Sequence, residues 1–336
     1  MTEISLGALR GALPKIDDAG AGFGKEEGEW AQLASSSGTS SGPQAQIGRP
    51  TTPPQHITDL YLDSAAMPQP IRIALPPDAP TDAVPLWRYG NSTYFHGDET
   101  ARQAFDDARV FAAGRGEGRK VLAINEWNAG RQVHVVGHSY AAGSQVRPET
   151  RRFISRKGGP TIERIMWTID QSAIGTNGTR LNPAIVLFHE ASHAANSENR
   201  LMLAASPMGM FKNKEEHRVI TELESSFLRS LGRRPRDTHS PLFFYQSAGD
   251  VLSTQALDPG VEQILQRYEP DLTQLSALAD RFGVDRLNPP PAERPRDPSR
   301  IQTGNEALGQ LLYKMGSLKQ ELRQQSPHTW IDSQTA

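Results

Sequence analysis

The chain has 336 residues, room for one large domain or two ordinary ones, and its net charge of -2 supplies no basic field to hold a phosphate backbone. A hydrophobic content of 37% supports a core but lies below the globular norm, so part of the chain is expected to stay outside it. Cysteine is absent, which excludes disulfide frameworks, thiolate metal sites and cysteine nucleophiles, and leaves His, Asp and Glu to hold any metal.

Residues 1–55 read as a disordered leader. The start carries Glu3 and no apolar run, unlike a Sec signal peptide, and the stretch 20–55 is dense in Gly, Ser, Pro and Gln. Such a composition cannot bury enough apolar surface to offset the entropy of ordering. No apolar run of about 18 residues occurs, so no membrane span is expected.

The ordered domain is expected over 56–250. DETARQAFDDARVFAAG (98–114) predicts a helix in which Asp98 is the cap, Ala101, Phe105, Ala108 and Ala112 share a face, and Gly114 ends the run. A second short helix over 119–127 follows. Strands are expected at RQVHVVGHSY (131–140) and ERIMWTID (163–170), the latter from the alternation of Ile165, Trp167 and Ile169 with Met166, Thr168 and Asp170. Asn182 and Pro183 supply an N-cap and a first-position proline for the next helix. Another helix is expected over 214–231, with Gly232 as its C-cap. Residues 251–336 read as a helical C-terminal extension, with helices over 261–283 and 301–324 on either side of the linker NPPPAERPRDP (288–298). Leu308, Leu311, Met315, Leu318 and Leu322 recur at 3-4-3-4 spacing; two heptads are too few for a coiled coil, so this face is expected to pack onto the main domain.

The chemistry concentrates in NPAIVLFHEASHAANSENR (182–200). His189 and His193 stand four apart, on one helix face, so both imidazoles can address one ion. Glu190 is rotated off that line yet can reach a water on the ion's open side. These are the mechanics of the HExxH motif, two zinc ligands and a general base. The bland alternative is a surface helix with two polar histidines. The AIVLF run directly upstream opposes it, because that run buries the helix, where unpaired histidines are costly.

A catalytic zinc needs a third protein ligand and an open fourth position. After His193 the chain reads AANSEN, without the glycine and histidine of a metzincin. Within 213–240, Glu216, Ile220, Leu223, Phe227 and Leu231 form one helical stripe, which places Glu216 on the buried face. Glu215 falls with Val219, Glu222 and Ser226 on a more polar, half-exposed stripe. Glu216 is the expected third ligand and Glu215 the second choice; an ordinary solvated charge pair is the competing reading.

HEASHA (189–194), EEHRVI (215–220) and the run from Glu224 through FLRSLGRRPRDTH to His239 resemble the NleD/XopG-type zinc metallopeptidase effectors that bacteria inject into host cells. The matching positions are His189, Glu190, His193 and Ala194, then Glu215, Glu216 and Arg218, then Glu224, Arg229, Gly232, Pro235 and Arg236. The likeness runs over 95–245 and is clear in these motif blocks. Ala191 and Ser192 replace the usual bulky pair, Ile220 and Thr221 stand where valine and glycine are common, and His239 takes the place of a usual tyrosine. The resemblance implies secretion through a type III system, a secretion chaperone on the leader, and cleavage of a host protein in the host cell cytoplasm.

Together these readings describe an α+β protein with a zincin-like metallopeptidase domain between leader and extension. Zn2+ would be held by His189, His193 and Glu216, with Glu190 as general base and Arg236, His239 or Tyr245 donating to the tetrahedral oxyanion. Two other readings stand beside it: a host-protein interaction module with a structural or vestigial zinc site, and a zinc hydrolase acting on a non-peptide bond. No nucleic-acid partner is expected. Deleting residues 1–50 is expected to leave the melting temperature and in vitro turnover unchanged while blocking delivery into host cells. A melting temperature lowered by several degrees would mean that the leader packs against the domain.

Overall fold

The computed structural model describes residues 55–63, 67–74, 84–128, 130–139, 149–153, 161–175, 177–208, 211–236, 239, 241–282 and 306–325. The leader expected over 1–55 lies outside them except for Gln55, and so does the linker at 288–298.

A short helix α1 (Gln55–Asp59) precedes strands β1 (Ile71–Ile73), β2 (Leu86–Tyr89) and β3 (Thr93–His96). Helix α2 (Glu99–Ala113) begins as its sequence dictates: Asp98 Oδ1 accepts the Ala101 N–H at 2.8 Å, and Ala101, Phe105, Ala108 and Ala112 are buried. Helix α3 (Gly116–Glu126) starts three residues ahead of the expected 119–127. Gly118 permits this, because a Cβ there would stand 2.2 Å from the Ala112 carbonyl oxygen.

Strands β4 (Arg131–His138), β5 (Glu149–Phe153) and β6 (Thr161–Thr168) complete a six-stranded sheet of order β1-β2-β3-β4-β6-β5. The pairs β3–β4 and β4–β6 are parallel, and β5 is an edge strand antiparallel to β6. β6 stops at Thr168, short of the expected Asp170, because Ile169 and Asp170 turn the chain into β7 (Gln171–Gly175). With β8 (Arg180–Leu181) and β9 (Pro241–Gln246), β7 forms a second, three-stranded sheet. The architecture is therefore α+β, with one mixed sheet. Among the described residues no helix is long and apolar enough to cross a membrane.

One face of the main sheet carries the core. Phe95, Val133, Val135, Ile165 and Trp167 pack with α2, α3 and helix α4 (Pro183–Ala195). Phe105 stacks on Phe95 with centroids 4.8 Å apart and meets Trp167 edge-on. Every residue of α4 except Glu190 is buried. Burying Ile185, Leu187 and Phe188 contributes roughly 1.5–3 kcal/mol each, and this drive carries the two histidines inside. The first turn is held on both sides: Asn182 Oδ1 accepts the Ile185 N–H at 2.8 Å, and Trp167 Nε1 donates to the Pro183 carbonyl at 3.0 Å.

The C-terminal helices share a core with the second sheet. Helices α8 (Pro259–Phe282) and α9 (Glu306–Gln325) bury Leu265, Leu318 and Leu322 with Ile174 and Phe243. Of the 3-4 seam, Leu318 and Leu322 thus pack onto the main domain as expected. Replacing Asn182 by Ala removes the cap of α4 and its 3.2 Å donation to the Leu252 carbonyl. Urea unfolding is expected to show a loss of about 1–2 kcal/mol. An unchanged midpoint would remove this cap from the forces that seat the helix.

Candidate metal centre

Helix α5 (Ser197–Ala204) follows α4 directly. The next segment, expected as one helix over 214–231, is three pieces: α6 (Lys214–Arg218), a π-helical turn (Val219–Glu224) and α7 (Ser225–Ser230). Asn213 caps the first piece, accepting the Glu216 N–H at 2.9 Å. Ser225 sets the wider turn, since both its backbone N–H and its hydroxyl donate to the Ile220 carbonyl, the latter at 2.8 Å. The end is as expected: Gly232 takes φ +66, and the Arg233 N–H reaches the Leu228 carbonyl at 2.8 Å.

The π turn changes which side chains face α4. On a continuous α-helix, residues eight apart differ by roughly 80°, so Glu216 and Glu224 would diverge. The wider turn takes up much of that angle, and both carboxylates point at His189. Ile220, Leu223 and Phe227 remain buried, but Leu231, the last member of the expected stripe, is exposed.

Three ligand atoms converge. His189 Nε2 and His193 Nε2 are 3.2 Å apart, and Glu216 Oε2 lies 3.2 Å from the first and 3.3 Å from the second. A tetrahedral ion with bonds of about 2.0 Å has ligand–ligand edges of about 3.3 Å, so the triangle has the dimensions of three corners of such a site. Glu216 Oε2 is buried and accepts no well-directed hydrogen bond despite these neighbours. The His189–His193–Glu216 group can hold a metal ion.

The far nitrogens explain why the near ones are left for an ion. His189 Nδ1 meets Glu224 Oε1 at 2.5 Å, and His193 Nδ1 meets Glu215 Oε1 at 3.1 Å. A carboxylate on each Nδ1 places the ring proton there and turns the Nε2 lone pair inward. Two lone pairs and a carboxylate oxygen at this spacing repel unless positive charge stands between them. In the ion-free chain protons supply it: burial lowers the His189 pKa, but Glu224 and Glu216 outweigh that and raise it to about 10. Burial likewise opposes the charge on Glu216, yet the surrounding imidazoles hold its carboxyl far below the usual range. A metal ion would take the place of those protons.

Both outer carboxylates are themselves anchored. Burial raises the Glu215 pKa, and hydrogen bonds from His193 and Arg218 reverse this, bringing it to about 2. Arg218 donates from NH2 at 2.7 Å and from Nε at 3.1 Å, and Asn196 Nδ2 donates at 2.7 Å. Glu215 is 1% exposed. The expectation of a half-exposed charge on a polar stripe is therefore overturned: the His193 and Arg218 partners draw Glu215 inside. Glu224, with no exposure, is brought to about 2 by Arg236 and His189 against the cost of its burial.

The other expected site residues separate. Glu190, next to His189 in the chain, is partly exposed, its Oε2 accepting from the Thr150 hydroxyl at 2.7 Å. His239 Nε2 lies 3.3 Å from Glu216 Oε2, and its side chain is partly exposed. Arg236 is not an available oxyanion donor, because it is buried with Nε and NH2 on Glu224 and NH1 on the His239 carbonyl. Tyr245 is elsewhere, in the second core, donating to the Thr254 carbonyl at 2.7 Å. Glu224 is the residue that helical periodicity missed. It stood in the family-like block beside Arg236, which was the available signal.

Set against protein-family models, curated proteins and solved structures, the chain finds no match. The site therefore speaks through its own chemistry. Glu216→Ala is expected to abolish metal uptake, while Glu215→Ala and Glu224→Gln each weaken it about 10- to 100-fold. Metal content after dialysis and chelator competition measures all three. Stoichiometric metal in Glu216→Ala would remove that residue from the ligand set.

Proposed function

We propose that this chain is a zinc-dependent endopeptidase with a zincin-like catalytic domain. The observation that carries the reading is the triangle of His189 Nε2, His193 Nε2 and Glu216 Oε2, with Glu190 beside it as the one residue of α4 that is not buried. Two imidazoles and one carboxylate in tetrahedral proportion suit zinc better than magnesium or calcium, which prefer oxygen ligands and higher coordination. The edge strand β5, antiparallel to β6 and packed near α4, is compatible with such a fold.

Bound in this cradle, zinc would supply Lewis acidity to a water and to the scissile carbonyl. The protein's residues do the rest. Glu190 takes a proton from the attacking water and passes it to the leaving amine. His239, the candidate donor whose ring nitrogen reaches the cluster, hydrogen-bonds the developing oxyanion. Glu224 and Glu215 keep both imidazoles in the ligating tautomer and orientation, and Arg236 holds Glu224 in place.

The biological setting follows from the sequence resemblance: an effector delivered by a type III system, with a chaperone on its leader, cleaving a host protein in the host cytoplasm. Support comes from the motif blocks and from the composition of residues 20–55. Glu190→Gln is expected to keep zinc and fold while losing cleavage by about 10²–10⁴-fold. Mapping new protein N-termini in host cells, wild type against Glu190→Gln, identifies the substrate. A folded, zinc-loaded Glu190→Gln chain that cleaves as fast as wild type would sink the protease mechanism, and zinc retained without any Glu190-dependent cleavage would favour the interaction-module reading.

A further inference from the structure

The Glu190 carboxylate takes a hydrogen bond from the main sheet. The Thr150 hydroxyl, on edge strand β5, lies 2.7 Å from Glu190 Oε2 and 2.9 Å from the Glu190 backbone carbonyl. One proton cannot serve both at full strength, and the closer, charged carboxylate oxygen takes the larger share. Among the described residues this is the one side-chain hydrogen bond given to the Glu190 carboxylate, and it engages Oε2 rather than Oε1.

Thr150 is itself held tightly. It is buried, its β-branched side chain has few rotamers, and its backbone is paired opposite Ile165. Its carbonyl accepts from Arg200 NH2, whose guanidinium also reaches Glu163 at 3.4 Å. Glu163 is fully buried on β6 and takes the Ser197 hydroxyl at the start of α5. Glu163 and Arg200 thus tie α5, which follows the HExxH helix, to the strand that carries Thr150. Thr150 is thus joined to α4 through its hydroxyl and to α5 through its carbonyl.

We infer that Thr150 is a positioning residue for the general base: its hydroxyl pins Glu190 Oε2 so that Oε1 faces the reacting water. This rests on the hydrolase reading above. A glutamate carboxylate turns about three side-chain bonds and, partly exposed at the helix surface, has several rotamers of similar energy. A fixed second oxygen selects one of them before substrate arrives.

The test uses the full chain loaded with cobalt(II), whose visible spectrum reports ligand binding, and acetohydroxamate as probe. A hydroxamate chelates the ion and shares its proton with the neighbouring base, so its affinity registers where Glu190 points without any turnover. Thr150→Val, nearly the same shape, is expected to weaken acetohydroxamate about 10- to 100-fold with cobalt affinity unchanged. Thr150→Ser should recover wild-type affinity to within about twofold, and in a Glu190→Gln background Thr150→Val should have no further effect. Equal affinity in Thr150→Val and wild type overturns the inference, as does a loss that persists without Glu190 or comes with loss of cobalt. A wild-type chain that takes up no cobalt overturns the hydrolase reading itself and this inference with it.

Discussion

Two imidazole nitrogens and one carboxylate oxygen meet at 3.2–3.3 Å in the protein interior, and that meeting requires positive charge at its centre. Water is largely excluded there, so the repulsion among lone pairs is poorly screened. Three buried or half-buried carboxylates, Glu215, Glu216 and Glu224, add to the demand. Arg218 and Arg236 answer part of it from the outside, each through two nitrogens on one carboxylate. The centre itself is left to protons or to a metal ion.

The scaffold is arranged to maintain that condition. Helix α4 is apolar along most of its length, which commits His189 and His193 to the interior. The opposing segment departs from α-helical geometry where it faces them. A π turn gives up regular hydrogen bonding, and here the Ser225 hydroxyl and the Glu224 contacts to His189 and Arg236 offset that loss. The Gly232 cap then reverses the chain so that Arg236 returns to Glu224. Asn177 Nδ2 fastens this return strand at the Pro235 carbonyl, 2.9 Å away.

The two sides of the centre differ. On the Nδ1 side of each ring every polar group has a protein partner. On the Nε2 side Glu216 and His239 are partly exposed. Glu215 and Glu224, by contrast, are fully enclosed behind the imidazoles. Edge strand β5 runs along this region and contributes Thr150 to it.

Local rules in the sequence were enough to determine the cap at Asp98, the Asn182–Pro183 start of α4, the αL glycine at 232 and the shared face of His189 and His193, because each depends on residues within about one turn of each other. The apolar stripe also turned Glu216 toward the two histidines, although its side chain is only partly buried. Only the tertiary structure decided the fate of Glu215, Glu224, Arg236 and Tyr245. Glu215 was assigned by periodicity to a half-exposed polar stripe and is instead drawn inside by His193 and Arg218, which come from another helix and from its own next turn. Glu224 reaches His189 because one turn of the helix is wider, a change of phase that an averaged 3.6-residue pattern cannot register. Arg236 and Tyr245 are close in sequence to His239, yet one is spent on Glu224 and the other on the second core. Their partners lie far along the chain or across a sheet, and contacts of that kind exist only once the elements have packed.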